Sequence, residues 1–139
     1  MEIRSFRESD RNNVIELWES CDLTRPWNDP DKDISRKLRV QPELFFVGEK
    51  DGKLVASAMA GYDGHRGSVF YLAVLPDYQG QGLGRMLMEK IETALDEMGC
   101  PKVNIVVRSS NEAVLAFYRQ LGYATDDVVS IGKRLIPDG

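Results

Sequence analysis

Leu72-Ala73-Val74-Leu75-Pro76-Asp77-Tyr78-Gln79-Gly80-Gln81-Gly82-Leu83-Gly84-Arg85 takes an apolar strand into a glycine-rich turn and straight on into an amphipathic helix. Gly80, Gly82 and Gly84 alternate, so backbone N–H groups can converge without interference from Cβ atoms. The first helical turn adds unpaired donors and the positive end of the helix dipole. Such a junction suits a pyrophosphate. Glycines at a helix start cost about 1 kcal/mol each relative to alanine, which a bare connection has no reason to carry. Two common nucleotide fingerprints fail residue by residue. A dinucleotide G-x-G-x-x-G beginning at Gly80 needs glycine where Arg85 stands, and a Walker loop needs Gly-Lys-Ser or Gly-Lys-Thr, which the chain lacks. The pattern Q-x-x-G-x-G, from Gln79 through Gly82 to Gly84, does fit.

Residues 68–75 form the strand entering this turn, and 82–98 the helix leaving it, with Leu83, Leu87, Ile91, Ala94, Leu95 and Met98 on one side and Gly99 and Pro101 as its stop. That crossover makes the apolar stretch 102–107 a strand parallel to 68–75. Upstream, 1–7 alternates as a strand, 8–20 is a helix with Val14, Ile15, Leu17 and Trp18 on its apolar face, and 31–40 is a second helix behind Pro30. Strands 44–49 and 54–62 flank an Asp-Gly hairpin turn, and 63–67 turns the chain into 68–75. After 102–107, a helix at 111–121 is followed by strands at 123–125 and 129–135, the last an edge that could pair across a homodimer.

Composition agrees with one domain at 1–139. Of the 139 residues 42% are hydrophobic, enough for a core, and 29% are charged. A net charge of −4 argues against a nucleic-acid binder and is compatible with a cationic amine ligand. No apolar run approaches the ~20 residues that span a bilayer, and the N-terminus reads as a strand rather than a signal peptide, so the chain is expected in the cytoplasm. Cys21 and Cys100 lack metal-ligand spacing and read as reduced packing residues, with no metal site expected.

The segment Asn111-Glu112-Ala113-Val114-Leu115-Ala116-Phe117-Tyr118-Arg119-Gln120-Leu121-Gly122-Tyr123 strengthens the first signal. Asn111 suits an N-cap, Gly122 suits a left-handed stop, and Ala113, Ala116, Phe117 and Gln120 recur at helical spacing. Together the two segments resemble the coenzyme A pyrophosphate loop and the N-x-x-A-x-x-F-Y-x-x-x-G-[FY] element of the GNAT superfamily of N-acetyltransferases. The element order β-α-α-β-β-β-α-β-α-β-β covers that family's core over essentially the whole chain. Within it, Arg25-Pro26-Trp27-Asn28-Asp29-Pro30, Gly61-Tyr62-Asp63-Gly64-His65-Arg66-Gly67-Ser68 and Gly132-Lys133-Arg134-Leu135-Ile136 are similar to the bacterial YpeA type.

The resemblance implies an α/β (α+β) GNAT acyl-CoA N-acyltransferase fold: a mixed, mostly antiparallel sheet whose central parallel pair splays apart. It further implies acetyl-CoA as cosubstrate and transfer to the primary amine of a small molecule or peptide, in a monomer or homodimer without nucleic-acid or membrane partners. Leu72, Ala73 and Val74 would pair with the pantetheine arm. Gln79, Gly80, Gln81, Gly82, Leu83, Gly84 and Arg85 would hold the pyrophosphate, with Asn111 and Tyr118 beside the thioester. Tyr118 stands at the family's general-acid position, since a phenol of pKa ~10 can protonate a departing thiolate of ~8.5. Its alternative reading is a core aromatic beside Phe117. The glutamate that relatives acting on ribosomal proteins carry is replaced here by Val106. The base is therefore left among Asp63, His65, Asp29 and water. Trp27 either anchors its loop or lines the acceptor pocket, where its π face would attract a cation; Asn28 and Tyr62 are further acceptor contacts. The competing class is a coenzyme-A-binding regulatory module without transfer activity.

Overall fold

The computed structural model describes residues 1–138. Five strands, β1 (Glu2–Ser5), β2 (Phe45–Lys50), β3 (Lys53–Tyr62), β4 (Gly67–Val74) and β5 (Val103–Asn104), form one sheet in that spatial order. Every pairing is antiparallel except β4 with β5, which the crossover helix makes parallel. Strand alternation sends side chains to two faces. Phe45, Val47 and Met59 pack with Val14, Leu17 and Trp18 of α1 (Arg11–Ser20) and Ile34 of α2 (Pro30–Lys37). Phe46, Ala56, Ala58, Ala60 and Val69 meet Leu83, Leu87, Met88, Ile91 and Leu95 of α3 (Leu83–Glu97), with Tyr118 of α4 (Glu112–Gln120) at the margin. The alanine ladder on β3 has little side-chain bulk to hold α3 away from the sheet. Met88 of α3 is buried, whereas Met98, the residue that caps its C-terminus, is 40% exposed, so the apolar stripe ends one turn earlier than its periodicity suggests.

The first strand is tied to the first helix by charge. Asp10 takes both guanidinium nitrogens of Arg4, at 2.7 and 2.9 Å, and the Arg7 amide at 2.8 Å, while Arg4 also contacts Glu49. Arg4 lowers the Asp10 carboxyl below its ordinary value. The resulting stability is complete above pH ~4 and is lost as pH falls through the lowered value. Asp10→Ala is expected to cost about 2 kcal/mol, because Arg4 keeps only Glu49 and the Ser5 carbonyl and the Arg7 amide loses its acceptor. Urea unfolding at pH 7 measures this, and the deficit should shrink toward pH 3.

Two strand expectations fail toward the C-terminus. The pairing of β5 ends at Ser68↔Asn104, well short of residue 107, because the chain then diverges from β4. The strands expected at 123–125 and 129–135 do not form, and β5 is left at the edge of the sheet. Asp126 accepts from the side chains of Lys102 and Asn104, so this stretch meets β5 through side chains rather than a backbone ladder. The remaining tail is drawn across to α2: Asp138 pairs with Arg36 and accepts from the Asp29 amide, and Arg134 donates to Asn28 at 2.6 Å.

Candidate active site

Two cavities open where β4 and β5 part. The first, about 500 Å³, is lined by Leu72, Ala73 and Val74, by Gln79, Gly80, Gly82, Leu83, Gly84 and Arg85, and across from them by Val114 and Phe117 of α4. Gly80 and Gly82 lie at φ +80° and +79°, the left-handed region that costs other residues ~1–2 kcal/mol. Gly82 is the N-cap of α3 and supplies no capping side chain, so the first N–H groups of a 15-residue helix are without a side-chain cap. Opposite, a Cβ on Gly84 would stand 3.0 Å from the Phe117 ring, so the small residue lets the two helices close on the cavity. Uncapped donors at a helix start, reached through an open glycine turn, fit a diphosphate.

The loop's two glutamines act on the protein itself. Gln79 donates through Nε2 to the Val74 carbonyl at 2.9 Å, tying the turn back to its strand, and Cys21 donates its thiol to the same oxygen. Gln81 accepts from the Lys50 ammonium at 2.7 Å and lies outside the cavity lining. Lys50 thus sets a positive charge beside the loop, a neighbour that no local sequence signal marks.

The second cavity, about 750 Å³, is walled by Cys21–Arg25, Asn28 and α2 on one side and by β4, residues 105–108 and Asn111 on the other. Leu72 and Val114 line both cavities, which therefore share a wall. Tyr118 reaches the second cavity while its ring packs edge-on against Phe117 and Tyr123, at 5.1 and 5.6 Å between centroids. Tyr118 is 7% exposed and part of the core, as the core-aromatic reading expects, and it also lines the cavity. Burial alone pushes its phenol up to about 12, so it stays protonated through the neutral range. Asn111 also lines this cavity, and its side chain caps α4 by accepting from Val114 N–H.

Tyr71 was unmarked in the sequence. It sits at φ +53° in mid-strand, where the β3–β4 register slips and Tyr71 and Leu72 together face Ala58. A buried network holds it there. Trp18 Nε1 donates to Ser57 Oγ at 2.9 Å, Ser57 Oγ donates to the Tyr71 carbonyl at 3.2 Å, and the Trp18 and Tyr71 rings stack 3.8 Å apart. The bulge aims the Tyr71 hydroxyl at Asp33 Oδ2, 2.6 Å away, and both residues line the second cavity. Asp33 reads in sequence only as a first-turn helix acid; the contact exists because α2 packs over the bulge.

Other expected acceptor residues separate. Asn28 lines the second cavity. Trp27 does not, and the Arg108 guanidinium lies over its ring, 5.6 Å from the centroid. Tyr62, Asp63 and His65 line neither cavity. The 63–66 turn precedes the end of β4 that is still paired with β5, whereas the gap opens toward the other end. Asp63 spends its carboxylate on the His65 and Arg66 amides, which lower its pKa, and Tyr62 Oη faces Gly99 at the far end of α3. Asp29 caps α2 through Lys32 N–H and lines neither cavity. Among the described residues no cluster of metal-ligating side chains occurs, and no helix is long and apolar enough to cross a membrane.

Residues 12–123 match the acetyltransferase (GNAT) family. A protein of Yersinia pestis described as an acetyltransferase is 55% identical over 138 residues, covering 99% of this chain and 98% of that one. Among solved structures, the ribosomal-protein-S18-alanine N-acetyltransferase of Escherichia coli superposes with a TM-score of 0.72 at 29% identity over 87% of this chain and 76% of that one. Ard1 of Thermoplasma volcanium superposes at 0.79 and 24% identity, over 88% and 82%, which speaks for the fold. With its glycine turn, splayed strand pair and buried tyrosine in place, the chain belongs to the acetyltransferase (GNAT) family and is an acyltransferase.

Proposed function

We propose that the protein is an N-acetyltransferase that passes the acetyl group of acetyl-CoA directly to a primary amine within a ternary complex. The observation that carries this reading is the wall shared by the two cavities at Leu72 and Val114, with Tyr118 beside it: donor and acceptor approach one point from opposite sides. Acetyl-CoA supplies the activated acetyl group and leaves as a thiol. The glycine turn and the start of α3 hold its diphosphate, and the unpaired side of β4 beyond Ser68 accepts the pantetheine arm as an added strand. The backbone N–H of Val74 steadies the charge that develops on the carbonyl oxygen. Tyr118 donates the proton that the departing sulfur needs.

Asp33, held by the Tyr71 hydroxyl at Oδ2 and by Arg36 at Oδ1, receives the incoming ammonium and takes its proton. Asp33→Asn is expected to lower kcat/KM about 10- to 100-fold at pH 7 by removing a charge-assisted contact. The deficit should narrow as pH rises toward the amine's own pKa of ~8–10, because the acceptor then arrives deprotonated. The direct test of the proposal is release of free thiol from acetyl-CoA, with mass-spectrometric detection of acetylated product, across a panel of amines. Coenzyme A binding without release for any amine would favour a regulatory module.

A further inference from the structure

The charges around the second cavity run opposite to those of the molecule. The chain carries a net charge of −4, yet Arg25, Arg36, Lys37 and Arg108 line this cavity against only Asp22 and Asp33. Most of these charges are already engaged. Arg36 pairs with Asp138 and Asp33, Arg25 with Asp22, and the Lys37 ammonium is held by the carbonyls of Val40 and Ala60. Arg108 is different: among the described residues no carboxylate and no carbonyl takes its guanidinium, which lies over Trp27 instead. A guanidinium lying over an indole, with its N–H groups taken by no protein acceptor among the described residues, suits a planar, two-oxygen anion. Asp33 and Tyr71 give the same cavity an acidic pole.

We infer that the acceptor is an amine that also carries a carboxylate, and that Arg108, lying over Trp27, binds that carboxylate. The assignment rests on the transfer reading only for the amine end; the anion end rests on Arg108 and the charge of the cavity. A carboxylate neutralises Arg108, while its ammonium faces Asp33, so the ligand is an amino acid or an amino-acid-like zwitterion. Trp27 acts as a positioning residue that orients the guanidinium.

The test titrates the full chain, saturated with coenzyme A, with each protein amino acid and its α-carboxamide, and with the aminophosphonate analogue of the best binder. Calorimetry reads binding and thiol release reads turnover. For at least one pair the acid should bind about tenfold or more tightly than the amide, the value of one charge-assisted contact. In Arg108→Gln that preference should collapse to within about twofold through KM rather than kcat, and Arg108→Lys should restore part of it. Coenzyme A affinity verifies the fold of each variant. Equal binding of acid and amide across the panel, preference for the phosphonate, or a preference that survives Arg108→Gln overturns the inference. Turnover of amines with no acid preference does so too while leaving transfer standing. Selective binding of acids without thiol release supports the inference and overturns transfer.

Discussion

Tyr118→Phe is expected to lower kcat for acetyl transfer by about 10²- to 10³-fold, the usual scale for removing a positioned general acid. The substitution deletes one oxygen and leaves the ring, so the edge-on packing against Phe117 and Tyr123 persists and Tm should move by only a few degrees. Coenzyme A affinity should stay within about twofold, since the diphosphate site proposed at the start of α3 does not include Tyr118. Burial pushes the wild-type phenol up to about 12, so Tyr118 contributes no loss of activity on the alkaline side of neutrality. A rising limb with pH reports deprotonation of the amine instead. Steady-state thiol release at saturating acetyl-CoA, followed from pH 6 to 10, tests both statements. A phenylalanine variant with unchanged kcat would return Tyr118 to the role of a core aromatic.

Gly82→Asp should abolish most coenzyme A binding without unfolding the protein. The carboxylate would stand at the uncapped N-cap of α3, where it can accept the N–H groups that the diphosphate needs and interact favourably with the helix dipole. Aspartate tolerates the left-handed backbone better than most residues, and a Cβ built there meets nothing within 4 Å. Diverting two charge-assisted hydrogen bonds from the diphosphate to this internal carboxylate corresponds to a Kd increase of about two to three orders of magnitude. Calorimetry with coenzyme A should show that increase, with Tm within a few degrees of the wild-type value because the strained φ offsets the new cap. Undiminished affinity would mean that the helix start is not the diphosphate site. Gly82→Ala separates strain from competition, since alanine brings the strained φ but no anion, and its effect should be about tenfold.

The contrast between Gly82 and Tyr71 shows what kind of feature could be read along the chain. Gly80, Gly82, Gly84 and the helix behind them act through backbone shape within a few residues, so their spacing carries their meaning. The same holds for Asn111 as the cap of α4 and for Val14, Leu17 and Trp18 as a buried face. Tyr71 carries no such local mark. Its left-handed backbone is held by Ser57 and Trp18, 14 and 53 positions away, and its partner Asp33 lies 38 positions upstream. Arg108 meets Trp27 only because the stretch after β5 and the 21–28 loop face each other across the second cavity. Residues 129–135 alternate as an edge strand should, yet side-chain pairs with Asn28 and Arg36 drew this tail toward α2 instead.

By itself the chain of residues determined the order of strands and helices through α4 and the glycine turn that opens α3, because each follows from backbone preferences and apolar periodicity acting over a turn or two. The tertiary structure alone decided where β4 and β5 part, that Asp33 meets the Tyr71 hydroxyl at the second cavity, and that Arg108 lies over Trp27. Those outcomes depend on distant segments competing for the same hydrogen bonds and charges, and that competition is settled only when the elements pack.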